Sequence, residues 1–260
     1  MEQNKEFYKN NFTDYLLCLA LDVGEGMLKS GGEVARVEQT IERICRAYGA
    51  LHVEVFSITS VINAAIRMPD GSYSSQMRRV KSSSNDLYRL ELYNEISRSI
   101  CEEKPELSVF DERLHDVKQK RAYSSFITVP ASALAASSFA VFFGGGLFEC
   151  LVAIFVGAVV GIIDITLGNH VNDLAKTIIS SFTAGLLSSA AVLITASINS
   201  SEVMIGTIML LVPGVAFGTA LRDLLCGDII AGGLKTVQSI LTALMIAFGY
   251  VLSMAVVGAM

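Results

Sequence analysis

The residues best suited to chemistry are charges set beside glycines. In MLLVPGVAFGTALRDLLCGD, a Pro213-Gly214 pair interrupts an apolar stretch that ends on Arg222, Asp223 and Asp228. A further carboxylate, Asp164, stands inside the apolar FVGAVVGIIDITL. Near the N-terminus, Gly31 and Gly32 precede Glu33, Arg36 and Glu38. An ionisable group embedded in apolar sequence is costly to keep and marks an ion or substrate pathway by default. For Asp164 the open roles are proton carrier, partner of Arg222 and contact for a substrate ammonium group, against an interfacial charge that snorkels into headgroups. A solvated loop is the plainer alternative for Arg222 and Asp223. A solvated helix face is the plainer one for Glu33, Arg36 and Glu38.

Enzymatic chemistry has no foothold. The chain carries no GxSxG, phosphate-binding loop or HExxH, and His52 and His115 lack a Cys or acid partner at a useful spacing. The five cysteines (Cys18, Cys45, Cys101, Cys150, Cys226) are far apart, with no CxxC pair, and read as reduced thiols. No catalytic residue, metal or cofactor is therefore expected. A net charge of −5 without lysine-rich or arginine–aromatic blocks gives no reason to expect nucleic acid.

The elements that must position these charges divide the chain in two. Of 20 Lys and Arg, 17 precede Ala122, leaving Lys176, Arg222 and Lys235; of 25 Asp and Glu, 19 precede it. The expected organisation is an α+β domain over 1–122 and a transmembrane domain over 123–260. Windows at 124–143, 147–167, 177–198, 203–221 and 229–257 are apolar enough to cross a hydrocarbon core of about 30 Å, which needs roughly 20 residues. The fifth is long or interrupted, and Pro213-Gly214 should break the fourth, because proline removes a ladder donor. Such a break is either a packing kink or part of a substrate site. Gly157/Gly161, Gly214/Gly218 and Ser181/Gly185/Ser189 recur at four-residue spacing, which lets helices approach closely in lipid.

Orientation follows the basic residues. Lys118, Lys120 and Arg121 precede the first span, and five spans put Lys176, Arg222 and Lys235 on that same side. The sequence thus predicts a cytoplasmic N-terminal domain and an external C-terminus. The polar opening, MEQNKEFYKNNFTDY, is not a signal peptide. In the first domain, helices are expected at 14–28 and 33–48, strands at 51–59, 61–68 and 73–80 around a Pro69-Asp70-Gly71-Ser72 turn, and helices at 86–101 and 107–121. The first helix should present one apolar face. His170 and Asn172 should lie in a plain loop.

Two stretches carry a family resemblance. LLCLALDVGEGMLKSGGEVARVEQTIERICRAYG with the following MPDGS turn, and VPGVAFGTALRDLLCGDIIAGGLK, resemble the threonine/serine exporter (ThrE-like) family, in order and over nearly the whole chain. Fused members carry the soluble domain and about ten spans, so a five-span chain is similar to the larger subunit of the split form. The resemblance implies secondary export of a small polar metabolite across the bacterial inner membrane. The cargo would be threonine or serine, or a dicarboxylate such as succinate, which one split pair exports. It also implies a small membrane-protein partner supplying the other half. Carried over, its motif positions fall on Pro213, Gly214, Arg222, Asp223, Gly227, Asp228 and Gly232, and on Gly31, Gly32, Glu33, Arg36, Val37 and Glu38. Without an ATP-binding motif, transport would draw on an ion or proton gradient. The competing expectation is a membrane-anchored regulatory or interaction protein whose soluble domain senses a ligand or partner. An oligomer is compatible with either.

Overall fold

The computed structural model describes residues 11–81, 84–120, 123–167, 171–194 and 199–258. The polar N-terminal segment, Arg121, His170, the end of the expected third span and the last two residues lie outside them. The chain divides into two compact units, one of 1–122 with 215–236 and the other of 123–214 with 237–260. The first unit therefore includes a piece of sequence that begins inside the fourth expected span.

In the first unit, helix α1 (Phe12–Lys29) is enclosed on every side. The expected apolar face is buried, and burial extends around the rest of the helix: Leu16, Leu17, Leu19, Ala20, Leu21 and Val23 are all fully buried, and so nearly are Asp22 and Glu25. The two acids would normally mark a wet face. They are tolerated because cations reach them: Lys118 at 2.7 Å and Arg78 at 3.6 Å for Asp22, Lys29 at 2.5 Å for Glu25. Glycine lets the neighbours close in, since a Cβ on Gly26 would collide with Cζ of Tyr93.

Helix α2 (Val34–Ala47) buries Val34, Val37, Ile41 and Ile44 against α1. An antiparallel meander follows, β1 (His52–Ile58), β2 (Val61–Arg67) and β3 (Tyr73–Arg79), in register Val53↔Ile66↔Ser74 and Phe56↔Asn63↔Met77. The β2–β3 turn is the expected one, with Gly71 at φ +87 and Asp70 Oδ1 accepting from the Ser72 amide at 2.8 Å. Helices α3 (Leu87–Glu103) and α4 (Leu107–Gln119) complete the layer, with Ile100, Phe110 and Leu114 fully buried.

The second unit is built from α5 (Ser125–Phe142), α6 (Leu147–Leu167), α7 (Asp173–Ile194), α8 (Ser200–Leu211) and most of α10. The chain breaks at Val212–Pro213, continues as α9 (Gly214–Leu225), and ends in α10 (Ile229–Gly258). Four helices among the described residues are long and apolar enough to cross a membrane, or five if α8 and α9 form one broken span. Helix α10 is uninterrupted over 30 residues. At about 1.5 Å per residue it outruns a 30 Å hydrocarbon core by about ten residues, and its first eight belong to the first unit.

Small residues bind the second unit. A Cβ on Gly157 would stand 2.6 Å from the Cβ of Ala136, and one on Gly206 would stand 2.7 Å from the Ala136 carbonyl oxygen. The α7–α10 contact is reciprocal, with Gly185 against Ser253 and Gly249 against Ser181. Glu149, nearly buried, accepts from the amides of Gly146 (3.0 Å) and Asn199 (2.9 Å), tying two turns together at one end of the helices. Between α8 and α10, the hydroxyls of Thr207 and Tyr250 meet at 3.0 Å in full burial.

The two GxxxG pairs are not equivalent, because nothing lies within 4 Å of a Cβ on Gly214 or Gly218. Gly157→Val should lower stability by about 1–3 kcal/mol through overpacking, and Gly218→Val should change it by no more than about 0.5 kcal/mol. Thermal unfolding in detergent checks both.

Candidate functional site

Two glycine turns, about 190 residues apart in sequence, build the site within the first unit. At the end of α1 the chain passes through Ser30 and Gly31, whose φ of +88 suits glycine, and the Gly32 amide bonds back to the Met27 carbonyl at 2.9 Å. This is a Schellman closure. It turns the Gly32 carbonyl outward and sets Glu33, extended at φ −71 and ψ 139, as the residue that opens α2. The α9–α10 turn repeats the device: Gly227 has φ +94, and the Asp228 amide returns to the Asp223 carbonyl at 2.9 Å. Gly232 then lets α10 lie against α9, since a Cβ there would stand 2.8 Å from the Ala220 carbonyl oxygen. Beside it, Ala231 joins the hydrophobic core of the first unit.

Charges from the two turns pair with each other. Arg222 Nη1 meets Glu33 Oε1 at 2.9 Å. Lys235 Nζ meets Asp223 Oδ2 at 2.7 Å and donates to the Gly32 carbonyl at 3.2 Å. The pairs differ in exposure. The Asp223 and Lys235 side chains are 1% and 14% exposed, whereas Arg222 is 63% exposed over a Glu33 at 13%. The other motif residues hold the frame. Arg36 donates to Asn94 on α3 at 3.2 Å, and Glu38 accepts from the Ser57 amide at 2.6 Å, fixing α2 to β1. Burial raises the Glu38 carboxyl above its ordinary value; the Ser57 donors pull it back, and Asp228 adds a smaller upward push.

Of the sequence candidates, Gly31, Gly32, Glu33, Arg36, Glu38, Arg222, Asp223 and Asp228 thus fall in one unit, and of the charged ones Glu33 and Arg222 meet. Asp164 does not join them. It belongs to the second unit, where Lys176 holds it at 2.8 Å and also meets Asp173 at 3.5 Å. Within the first unit Arg222 is paired with Glu33. Pro213 and Gly214 end the second unit's part of the broken helix. Sequence reasoning missed Lys235, Glu149 and the Thr207–Tyr250 pair. Each sits in an apolar or glycine-rich context, and that context was the available signal. No group of three or more His, Cys, Asp or Glu able to hold a metal occurs among the described residues. What the described residues assemble here is a pair of ion pairs and a lysine–carbonyl hydrogen bond joining two turns.

Truncating Lys235 to Met strands a buried carboxylate and should cost about 3–5 kcal/mol, most of it recovered in the Asp223→Asn, Lys235→Met double variant; chemical unfolding in detergent reads both. Glu38 gives a pH effect of opposite sense to an ordinary paired carboxylate. Its folded value is raised, so its contribution is fullest below the ordinary 4.5 and is lost as pH rises through the folded value. The thermal midpoint should fall across that interval, and Glu38→Gln should remove this part of the fall.

The sequence model of the ThrE family, described as "Putative threonine/serine exporter", matches residues 18–257. No curated protein and no solved structure matches the chain. Because that match runs from α1 through both charged turns to the last turn of α10, the chain belongs to the ThrE family, a family of membrane transporters.

Proposed function

We propose that the chain is one subunit of a secondary exporter that moves threonine or serine outward across a bacterial inner membrane. An ion or proton gradient drives it, and a small separate membrane protein supplies the rest of the path. The interrupted helix is the observation that carries this reading. The Met209 carbonyl would be served by residue 213, a proline with no N–H. The Leu210 carbonyl would be served by the Gly214 amide, which bonds to the Val212 carbonyl at 2.8 Å instead. Two carbonyls in an apolar stretch thus lose their ladder donors. Freed backbone groups at membrane depth persist only where protein or a wet cavity satisfies them, and half-helix ends are where transporters bind substrates and coupling ions.

Charge supports an amino acid over succinate. All three basic residues after 122 are engaged by carboxylates: Lys176 by Asp164 and Asp173, Arg222 by Glu33, Lys235 by Asp223. A dicarboxylate would need two such pairs to open, whereas an amino acid brings its own cation and needs one. The coupling charge falls to Asp164, Asp223 or Asp228. The basic residues orient the first unit toward the cytoplasm and the C-terminus outward. A partner is supported by the broken helix, where Val215, Phe217 and Leu221 are about half exposed and space is open around Gly214 and Gly218.

Efflux of labelled threonine, serine and succinate from cells expressing the chain with and without the small partner tests the reading. Threonine or serine should leave only when both proteins are present. Pro213→Ala should remove most of that efflux at an unchanged amount of protein in the membrane. Full efflux through Pro213→Ala would show that the break is no part of the path.

A further inference from the structure

The two ion pairs that join the glycine turns have unequal strengths, and the weaker has the geometry of a receptor. Separating Asp223 from Lys235 would leave a carboxylate that is 1% exposed without its cation, a change that costs several kcal/mol in proteins generally. That pair is fixed. Arg222, by contrast, is 63% exposed, so water can replace Glu33 as its partner at a smaller cost than baring a buried charge. Its partner is less wet: Glu33 is 13% exposed and makes no side-chain cap bond to α2, so its carboxylate is free to accept from another group. A partly desolvated anion facing an exposed guanidinium is a neutral site for a ligand carrying both charges.

We infer that Glu33 and Arg222 are the substrate-receiving pair on this unit, opening to bind the ammonium and carboxylate groups of a free amino acid. The inference rests on the exporter reading. The incoming α-carboxylate takes the Arg222 fork, the contact for which arginine is best shaped, and the α-ammonium takes Glu33. One ion pair is exchanged for two charge-assisted contacts, and no charge is left bare. A dicarboxylate gains one cation and meets the Glu33 anion. A simple amine gains Glu33 and leaves Arg222 unpaired. The pair therefore selects zwitterions, and the Lys235–Asp223–Gly32 contact keeps the turn in place while it opens.

The full-length chain in lipid nanodiscs provides the test. Binding of labelled threonine is competed with threonine methyl ester, which lacks the carboxylate, and with 3-hydroxybutyrate, which lacks the ammonium. Wild type should bind threonine and take up each analogue about tenfold more weakly, one charge-assisted contact being lost. Arg222→Gln should weaken threonine about tenfold and leave the ester unchanged. Glu33→Gln should weaken threonine and leave 3-hydroxybutyrate unchanged or tighter. Arg222→Lys, which keeps the charge and loses the fork, should fall between. The inference is overturned if both Gln variants bind threonine as wild type does. Equal loss of all three ligands, which a purely structural latch would produce, also overturns it, as does a wild-type chain that binds no threonine. Efflux from cells holding the partner separates the two readings. Threonine export with normal binding by both variants removes this site and leaves the exporter standing, whereas absence of threonine and serine export removes the exporter itself.

Discussion

A single ammonium group organises the first unit. Lys235 reaches from the base of α10 to the Asp223 carboxylate on α9 and to the Gly32 carbonyl at the end of α1. A buried cation must be matched by anions and acceptors, or it is expelled, and here α9 and the turn after α1 provide them. The glycine turns exist to present them. Without the left-handed Gly31 the Gly32 carbonyl would not face outward, and without Gly232 α10 could not lie close enough to α9 for Lys235 to reach Asp223. The exposed Arg222–Glu33 pair is placed by the same contact, so a weak, exchangeable interaction is positioned by a strong one.

The two units are stabilised by different physics. In the first, large aliphatic side chains surround α1, and water exclusion is the driving force. In the second, lipid offers no such force, and Gly157, Gly206, Gly185 and Gly249 bring backbones into contact instead. Polar groups there are tied off locally or in pairs. Glu149 caps two turns, and Thr207 meets Tyr250. This difference explains why the apolar side chains of α10 can remain half exposed along one helix while those of α1 beyond Phe12 are buried.

The sequence made some features plain and hid others, for reasons of range. The apolar helices, the break at Pro213, the β2–β3 turn and the glycine-ended helices rest on local chemistry and appear where local chemistry puts them. The third helix of the second unit begins at Asp173, earlier than hydropathy suggested, because Asn172 accepts from the Leu174 amide and Lys176 finds Asp164. Asp22 could not be read as buried, since its partners Arg78 and Lys118 lie far along the chain. Likewise, nothing near Lys235 announces Gly32, and nothing near Glu33 announces Arg222. The candidate residues were legible by type, but their meeting was not, because an ion pair formed so far apart in sequence leaves no periodic trace.

That separation bears on biogenesis. Residues 215–236 complete the core and charge network of a unit whose other parts are made first, and Ala231 and Lys235 emerge from the ribosome only after four apolar segments have been synthesised. Domains generally fold in the order they are made, yet here the Glu33 carboxylate meets its partner only when α9 is made and the Gly32 carbonyl only when α10 begins. Closure of the first unit thereby follows the synthesis of the apolar helices before it, and a chain that stops before α10 lacks the Ala231 and Lys235 that complete this core and charge network.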